Sequence, residues 1–127
     1  MTYRYHHFHL ICSNLAHTEK FFTEMLGAKL IRRRKFGTAD GALLDLNGIT
    51  ISLRTAREGD NITGDSSQER YGYDHLGLAV EDLDTAYEEL KGKGVTFSVL
   101  PRDVEDGKMA FLKGPDNITI ELFQPLS

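Results

Sequence analysis

The sequence predicts an α+β protein built from two tandem βαβββ modules, and three observations predict it. The chain repeats itself: "HFHLICSNL" at 7–15 is answered by "HLGLAVEDL" at 75–83, and "ITISL" at 49–53 by "ITIEL" at 118–122. The offset is 68 residues at the start of the halves and 69 at their end, so two anchors share nearly one register. Each half also opens on an alternating segment that leads through a capping residue into a helical stripe.

In the first half, residues 5–13 alternate as a strand, and Asn14 or Ser13 caps the helix that follows. Leu15, Thr18, Phe22, Met25 and Leu26 form the helix's apolar stripe, and Gly27 suits its C-terminal end. Strands follow near 29–36, 41–46 and 49–55, separated by Gly37 and by the hairpin signal Asn47-Gly48. The second half repeats this plan. A strand at 74–80 is followed by the cap Asp82, the helix face Leu83, Ala86, Tyr87 and Leu90, and the terminators Gly92 and Gly94. Its remaining strands fall near 95–100, 108–113 and 117–124, with turns at Asp106-Gly107 and Pro115-Asp116-Asn117. The two modules, about 4–55 and 73–125, make one domain, and the polar stretch 56–72 between them reads as a linker or functional loop.

Bulk composition limits the function. A chain of 127 residues, 40% hydrophobic and 27% charged, suits one globular domain with a real core. Net charge is −4, which argues against a nucleic-acid partner. The one basic run, Arg32 to Lys35, is expected to divide its charges between the two faces of a strand, either as an exposed strand or with one side chain contacting a phosphate or carboxylate. No apolar run is long enough to span a bilayer, and the N-terminus has no secretory pattern. With Cys12 as the single cysteine, the expected location is the cytoplasm, with no membrane partner. Asn61-Ile62-Thr63 and Asn117-Ile118-Thr119 match a glycosylation acceptor and, without a secretory signal, are read as chance.

Strand alternation sorts the residues by face. Phe8, Leu10 and Cys12 pack on one side of the first strand, leaving His7, His9 and Ile11 on the other. On the fourth strand Ile49, Ile51 and Leu53 pack, leaving Thr50, Ser52 and Arg54. Leu76, Leu78 and Val80 pack on the fifth, leaving His75, Gly77 and Ala79. On the last, Ile118, Ile120 and Leu122 pack, leaving Thr119, Glu121 and Phe123. With the helices on the apolar sides, the mixed sides line a concave surface suited to a small molecule. A single His on such a face is more often a hydrogen-bonded core residue than a ligand, and a single Glu between isoleucine and leucine reads equally as solvent-exposed strand alternation. Two His at duplicated positions, with Glu121 at the matching end of the second half, favour a metal: two His and one carboxylate suffice for a catalytic divalent ion.

These segments resemble the vicinal oxygen chelate superfamily, the glyoxalase, bleomycin-resistance and dioxygenase group, over nearly the whole chain. "HFHLICSNLAHTEKFFTEMLG" resembles its first module, "YDHLGLAVEDLDTAYEELKGKGV" its second, and "KMAFLKGPDNITIELFQ" its final hairpin and ligand strand. The resemblance implies a curved mixed sheet around a metal-binding cleft, with ligand positions at His7, Ser52, His75 and Glu121. Glyoxalase I lyases carry Glu where this chain has Ser52, and related epimerases carry Gln. The metal set expected here is therefore His7, His75 and Glu121, completed by water.

The resemblance further implies one divalent ion (Zn, Ni, Co, Mn or Fe(II)) that binds two neighbouring oxygens of a small substrate. Lyase or isomerase chemistry is the leading expectation. Fe(II)-dependent extradiol cleavage is the alternative, although the longer C-terminal His and Tyr motif of those dioxygenases is not present. The third is a small-molecule binding or resistance protein. His9 is the candidate acid/base, with a hydrogen-bonded structural role as the other reading. Thr50, Ser52, Arg54 and Phe123 are candidate substrate contacts, Arg54 through an anionic group or else as a solvated strand end. A homodimer is expected from the family, with the modules pairing within one chain or between two.

Overall fold

The computed structural model describes residues 1–126. It divides into two compact units, 1–63 and 64–127, with the boundary inside the expected linker. Each unit is one βαβββ module. The first contains β1 (His7–Cys12), α1 (Leu15–Lys20) continued by a π-helical segment (Phe21–Met25), β2 (Lys29–Phe36), β3 (Ala39–Leu46) and β4 (Ile49–Thr55). The second contains β5 (Leu76–Ala79), α2 (Leu83–Gly92), β6 (Phe97–Val104), β7 (Gly107–Lys113), a 3₁₀ turn (Pro115–Asn117) and β8 (Thr119–Pro125).

Each module folds into its own four-stranded mixed sheet, ordered β1-β4-β3-β2 and β5-β8-β7-β6. The first and last strands of each module are parallel neighbours and the other pairs are antiparallel. Duplication extends to the register: His9 is opposite Ser52 as Gly77 is opposite Glu121. The step from 68 to 69 falls at one place. Ala42 pairs with Leu53 and Ala110 with Leu122, so the extra residue lies between the third and fourth strands. The first module turns there through Asn47 and Gly48, both at positive φ (50° and 96°) as a tight two-residue hairpin requires. The second uses Pro115-Asp116-Asn117, with the left-handed φ on Asp116 and Asn117.

The helices sit on the apolar faces. Asn14 and Asp82 are their N-caps, accepting from His17 N–H at 3.0 Å and Thr85 N–H at 3.1 Å. Phe22, Leu44, Ile51 and Leu53 are fully buried in the first unit; Leu83, Leu112, Ile120 and Leu122 form the corresponding core of the second. Each such side chain contributes roughly 1.5–3 kcal/mol through burial. The helix ends differ. At the end of α2, Val95 N–H bonds Leu90 O and Gly94 N–H bonds Lys91 O (both 3.0 Å), closing a Schellman cap with Gly94 at φ 91°. In the first module the corresponding closing bond runs from Ala28 N–H to Phe22 O (2.9 Å), one residue wider, and the π-helical turn absorbs the surplus. Side-chain periodicity does not reveal this extra residue.

Gly107 also departs from expectation. The hairpin turn is Glu105-Asp106, and Gly107 is the first residue of β7. The sequence Asp-Gly marks a turn because glycine accepts positive φ, but here close approach matters more. A Cβ at Gly107 would lie 2.2 Å from Gln124 O, on backbone that cannot swing aside. Residues 56–75 contain no helix or strand. Part of this stretch is nonetheless held in the second unit: Asp65 accepts from Ser67 N–H and Oγ and from Asn117 Nδ2, and Ser66 N–H bonds Asp116 O.

Two outcomes follow from these contacts. Gly107→Ala should lower unfolding stability by about 1–3 kcal/mol through forced backbone movement. Gly92→Ala, at ordinary φ with nothing within 4 Å of its added Cβ, should raise stability by up to about 1 kcal/mol; thermal or denaturant unfolding checks both. The hydrogen bonds to Asp65, Ser67 foremost, pull its carboxyl down to about 2. A depressed folded-state pKa contributes stability above the unfolded carboxyl value and loses it as pH falls toward about 2. Asp65→Asn should therefore lower stability at neutral pH, leave it little changed near pH 2, and so flatten the acid limb of stability against pH.

Candidate functional site

In the second unit, His75 and Glu121 come together. His75 precedes β5, Glu121 lies mid-β8, and the parallel register places Gly77 directly beside Glu121. His75 Nε2 is 2.8 Å from Glu121 Oε1, and its Nδ1 is 2.8 Å from Asp74 Oδ2. The imidazole edge meets the Phe111 ring at 5.0 Å between centroids. Asp74 raises the His75 pKa most; burial opposes it, and Glu121 adds to the rise. Gly77 keeps the space over the carboxylate open: a Cβ there would only just touch Glu121 Oε1, at 4.0 Å. Phe123 lies on the Glu121 face of β8 and is half-buried.

In the first unit, His7, His9, Thr50, Ser52 and Arg54 share one sheet face through the register His7–Thr50, His9–Ser52 and Ile11–Arg54. His7 Nδ1 is 2.8 Å from His6 Nδ1, so one imidazole donates and the other accepts. His6 precedes His7 as Asp74 precedes His75. In both modules, then, the residue before the candidate histidine occupies that histidine's Nδ1. The His9 ring lies 6.4 Å from His7 and edge-on to Phe36 at 4.7 Å. Burial lowers the His9 pKa first, with Arg54, His7, Arg57 and Arg34 acting in the same direction, so His9 is neutral at neutral pH. A neutral imidazole has a free lone pair for a proton or a metal.

The two modules distribute bulk differently at their matching strand pair. The first has His9 on β1 and small Ser52 on β4; the second has Gly77 on β5 and Glu121 on β8. Ser52 is 4% exposed and Arg54 8%. Arg54 is not a free arm: its Nη1 donates to Asp60 Oδ2 at 2.8 Å and to Thr55 O at 3.0 Å. Arg57 N–H also donates to Asp60 Oδ2 at 2.9 Å. Arg54 and then Arg57 hold the Asp60 carboxyl below its usual range. Sequence reading missed Asp60 because an aperiodic polar segment gives no face assignment. Asp74 and His6 were visible as the immediate neighbours of the two candidate ligands. Among the described residues, no group of three or more His, Cys, Asp or Glu side chains is gathered closely enough to hold a metal ion.

Removing Asp60 leaves a buried guanidinium without its counter-charge. Asp60→Ala should lower the unfolding temperature, and adding Arg54→Met in the same chain should recover part of the loss. A double variant as unstable as the sum of the singles would show that the pair is not coupled.

Comparison with known proteins agrees with this architecture. A fission-yeast (Schizosaccharomyces pombe) lactoylglutathione lyase is 28% identical over 95% of the chain and 47% of its own length. The Bacillus subtilis protein YwkD is 29% identical over 94% of each chain. The chain spans less than half the length of the yeast and plant lyases it matches. The crystal structure of a glyoxylase/bleomycin resistance protein/dioxygenase domain from Frankia sp. EAN1pec superposes with a TM-score of 0.81 at 27% identity, covering 99% of this chain and 100% of that one. No helix among the described residues is long and apolar enough to cross a membrane. The family model described as the Glyoxalase/Bleomycin resistance protein/Dioxygenase superfamily matches residues 4–122, and the chain belongs to that superfamily.

Proposed function

We propose that the protein is a divalent-metal-dependent lyase or isomerase of the glyoxalase type, acting on a small substrate through two adjacent oxygens. The observation that carries this reading is the Asp74–His75–Glu121 array, two contacts of 2.8 Å on the two nitrogens of one imidazole. An imidazole with a carboxylate on Nδ1 and Nε2 directed at a second carboxylate is the usual arrangement of a metal-ligating histidine and its orienting partner. The nitrogen and oxygen donors suit Zn, Ni, Co, Mn or Fe(II). His75 and Glu121 would hold the ion, with His7 as the third ligand on the strength of its duplicated position; the same chain or a second copy can supply it. The lactoylglutathione lyases among the relatives support lyase chemistry over oxygenation.

A bound divalent ion supplies Lewis acidity to adjacent substrate oxygens. The chain's own residues do the rest. Ser52 is too short to act as the carboxylate base found at that position in glyoxalase I lyases. His9 is its partner on the neighbouring strand, and its neutral imidazole can accept a proton from a substrate carbon and return it. Thr50, Ser52 and Phe123 would line the substrate's path, and Arg54, held by Asp60, would shape the wall rather than reach out.

Elemental analysis of the purified protein and of His75→Ala tests the reading. About one equivalent of metal, lost in the variant, is expected. Asp74→Ala should weaken metal affinity by roughly 10–100-fold, with Asp74→Asn recovering part of it because an amide oxygen still accepts from Nδ1–H. His9→Ala should keep its metal and lose turnover. Absence of metal after anaerobic reconstitution would replace this reading with a metal-free small-molecule binding protein.

A further inference from the structure

The basic run on β2 is sorted by face, and the sorting has chemical content. Arg33 and Lys35 are on one face, and each has a carboxylate: Arg33 pairs with Glu19 of the first module's helix and Lys35 with Asp40. Arg32 and Arg34 point to the other face. Register defines their rows: Arg32–Leu43–Ser52–His9 and Arg34–Gly41–Arg54–Ile11. Neither Arg32 nor Arg34 has an ion-pair partner among the described residues.

Phe36 gathers the groups. Gly41 has no side chain, and the Phe36 ring occupies the space a Cβ would need. The Arg34 guanidinium stacks on that ring 4.3 Å from its centroid. Arg57 Nη1 donates to Phe36 O at 3.1 Å, and the His9 ring meets Phe36 edge-on. Of Arg32, Arg34, Arg54 and Arg57, only Arg54 and Arg57 meet a carboxylate among the described residues, and both use Asp60. In a chain of net charge −4 this local surplus runs against the average, and like charges held together on one face repel unless an anion joins them.

We infer that this face binds an oxyanion, a carboxylate or phosphate carried by the substrate, between the guanidinium groups of Arg34 and Arg57 and beside His9. Planar guanidinium forks match both oxyanions in bidentate fashion, and Phe36 offers an apolar wall to the carbon next to the charge. The inference deepens the proposed function by stating a substrate class, a small oxygenated acid or phosphate ester, and rests on that reading for the chemistry that follows binding. Binding itself requires no metal. Arg34 and Arg57 are exposed, so truncating them leaves the core intact.

The test is an NMR titration of the metal-free protein, following the His9 imidazole and arginine Nε–H resonances. Inorganic phosphate and acetate are added separately, with sodium chloride at matched ionic strength as control. A saturable shift of these resonances is expected from at least one oxyanion, and the stronger of the two identifies tetrahedral or planar recognition. Arg34→Ala and Arg57→Ala should each weaken it by about tenfold, the loss of one charge-assisted contact. His75→Ala should leave it unchanged, which separates this outcome from the fate of the metal reading. Equal shifts from chloride, or an undiminished affinity in the Arg34→Ala/Arg57→Ala double variant, overturn the inference.

Discussion

Parallel pairing of the first and last strands in each module is the constraint on which the rest of the structure depends. Strands that run in the same direction cannot be joined by a tight turn, so the chain must cross over and cover one face on the way. In each module the helix makes that crossover, and the two intervening strands extend the sheet outward from the parallel pair. Once the helix has taken the face carrying Leu10, Ile51 and Leu53, or Leu78, Ile120 and Leu122, strand periodicity leaves the opposite face for His9 and Ser52, or Gly77 and Glu121. A slip of one residue would expose the core and bury the polar set together, so register is strongly specified.

The same logic explains which features were legible in the sequence. Strand faces, both N-caps and the Asn47-Gly48 hairpin follow from short-range rules that act within a few residues, and the structure agrees with each. The division of the "RRRK" run follows from the two-residue period alone. What escaped was set by contacts between distant segments. Nothing local marks Asp60 as the partner of Arg54, or shows that Gly107 is required by Gln124 rather than by a turn. The π-helical turn is equally silent, because Phe22 is buried with or without an extra residue after it.

The candidate site shows a similar division. The face of each named residue was readable, but its state was not. Arg54 reads as a reaching cation and is instead a buried one, held by Asp60 through both terminal nitrogens of its guanidinium. His9 reads as a titratable group near neutrality, and its surroundings keep it unprotonated. His75 is perturbed in the opposite sense by its flanking carboxylates. His9 and His75, one from each module, therefore carry opposite electrostatic biases, set by neighbours one residue or one strand away.

The single residue by which the two terminal hairpins differ has a consequence for how such a protein diverges. The insertion sits outside the hydrogen-bonded rows, so the ladder on either side keeps its pairing and Ser52 and Glu121 remain topologically equivalent. The fold thereby separates two kinds of genetic change. Length varied at this connection without relocating any residue of the third or fourth strand, and identity varied on those strands without altering their pairing. One copy was free to acquire a basic, serine-containing surface while the other acquired a carboxylate, and neither change required the backbone to be reinvented.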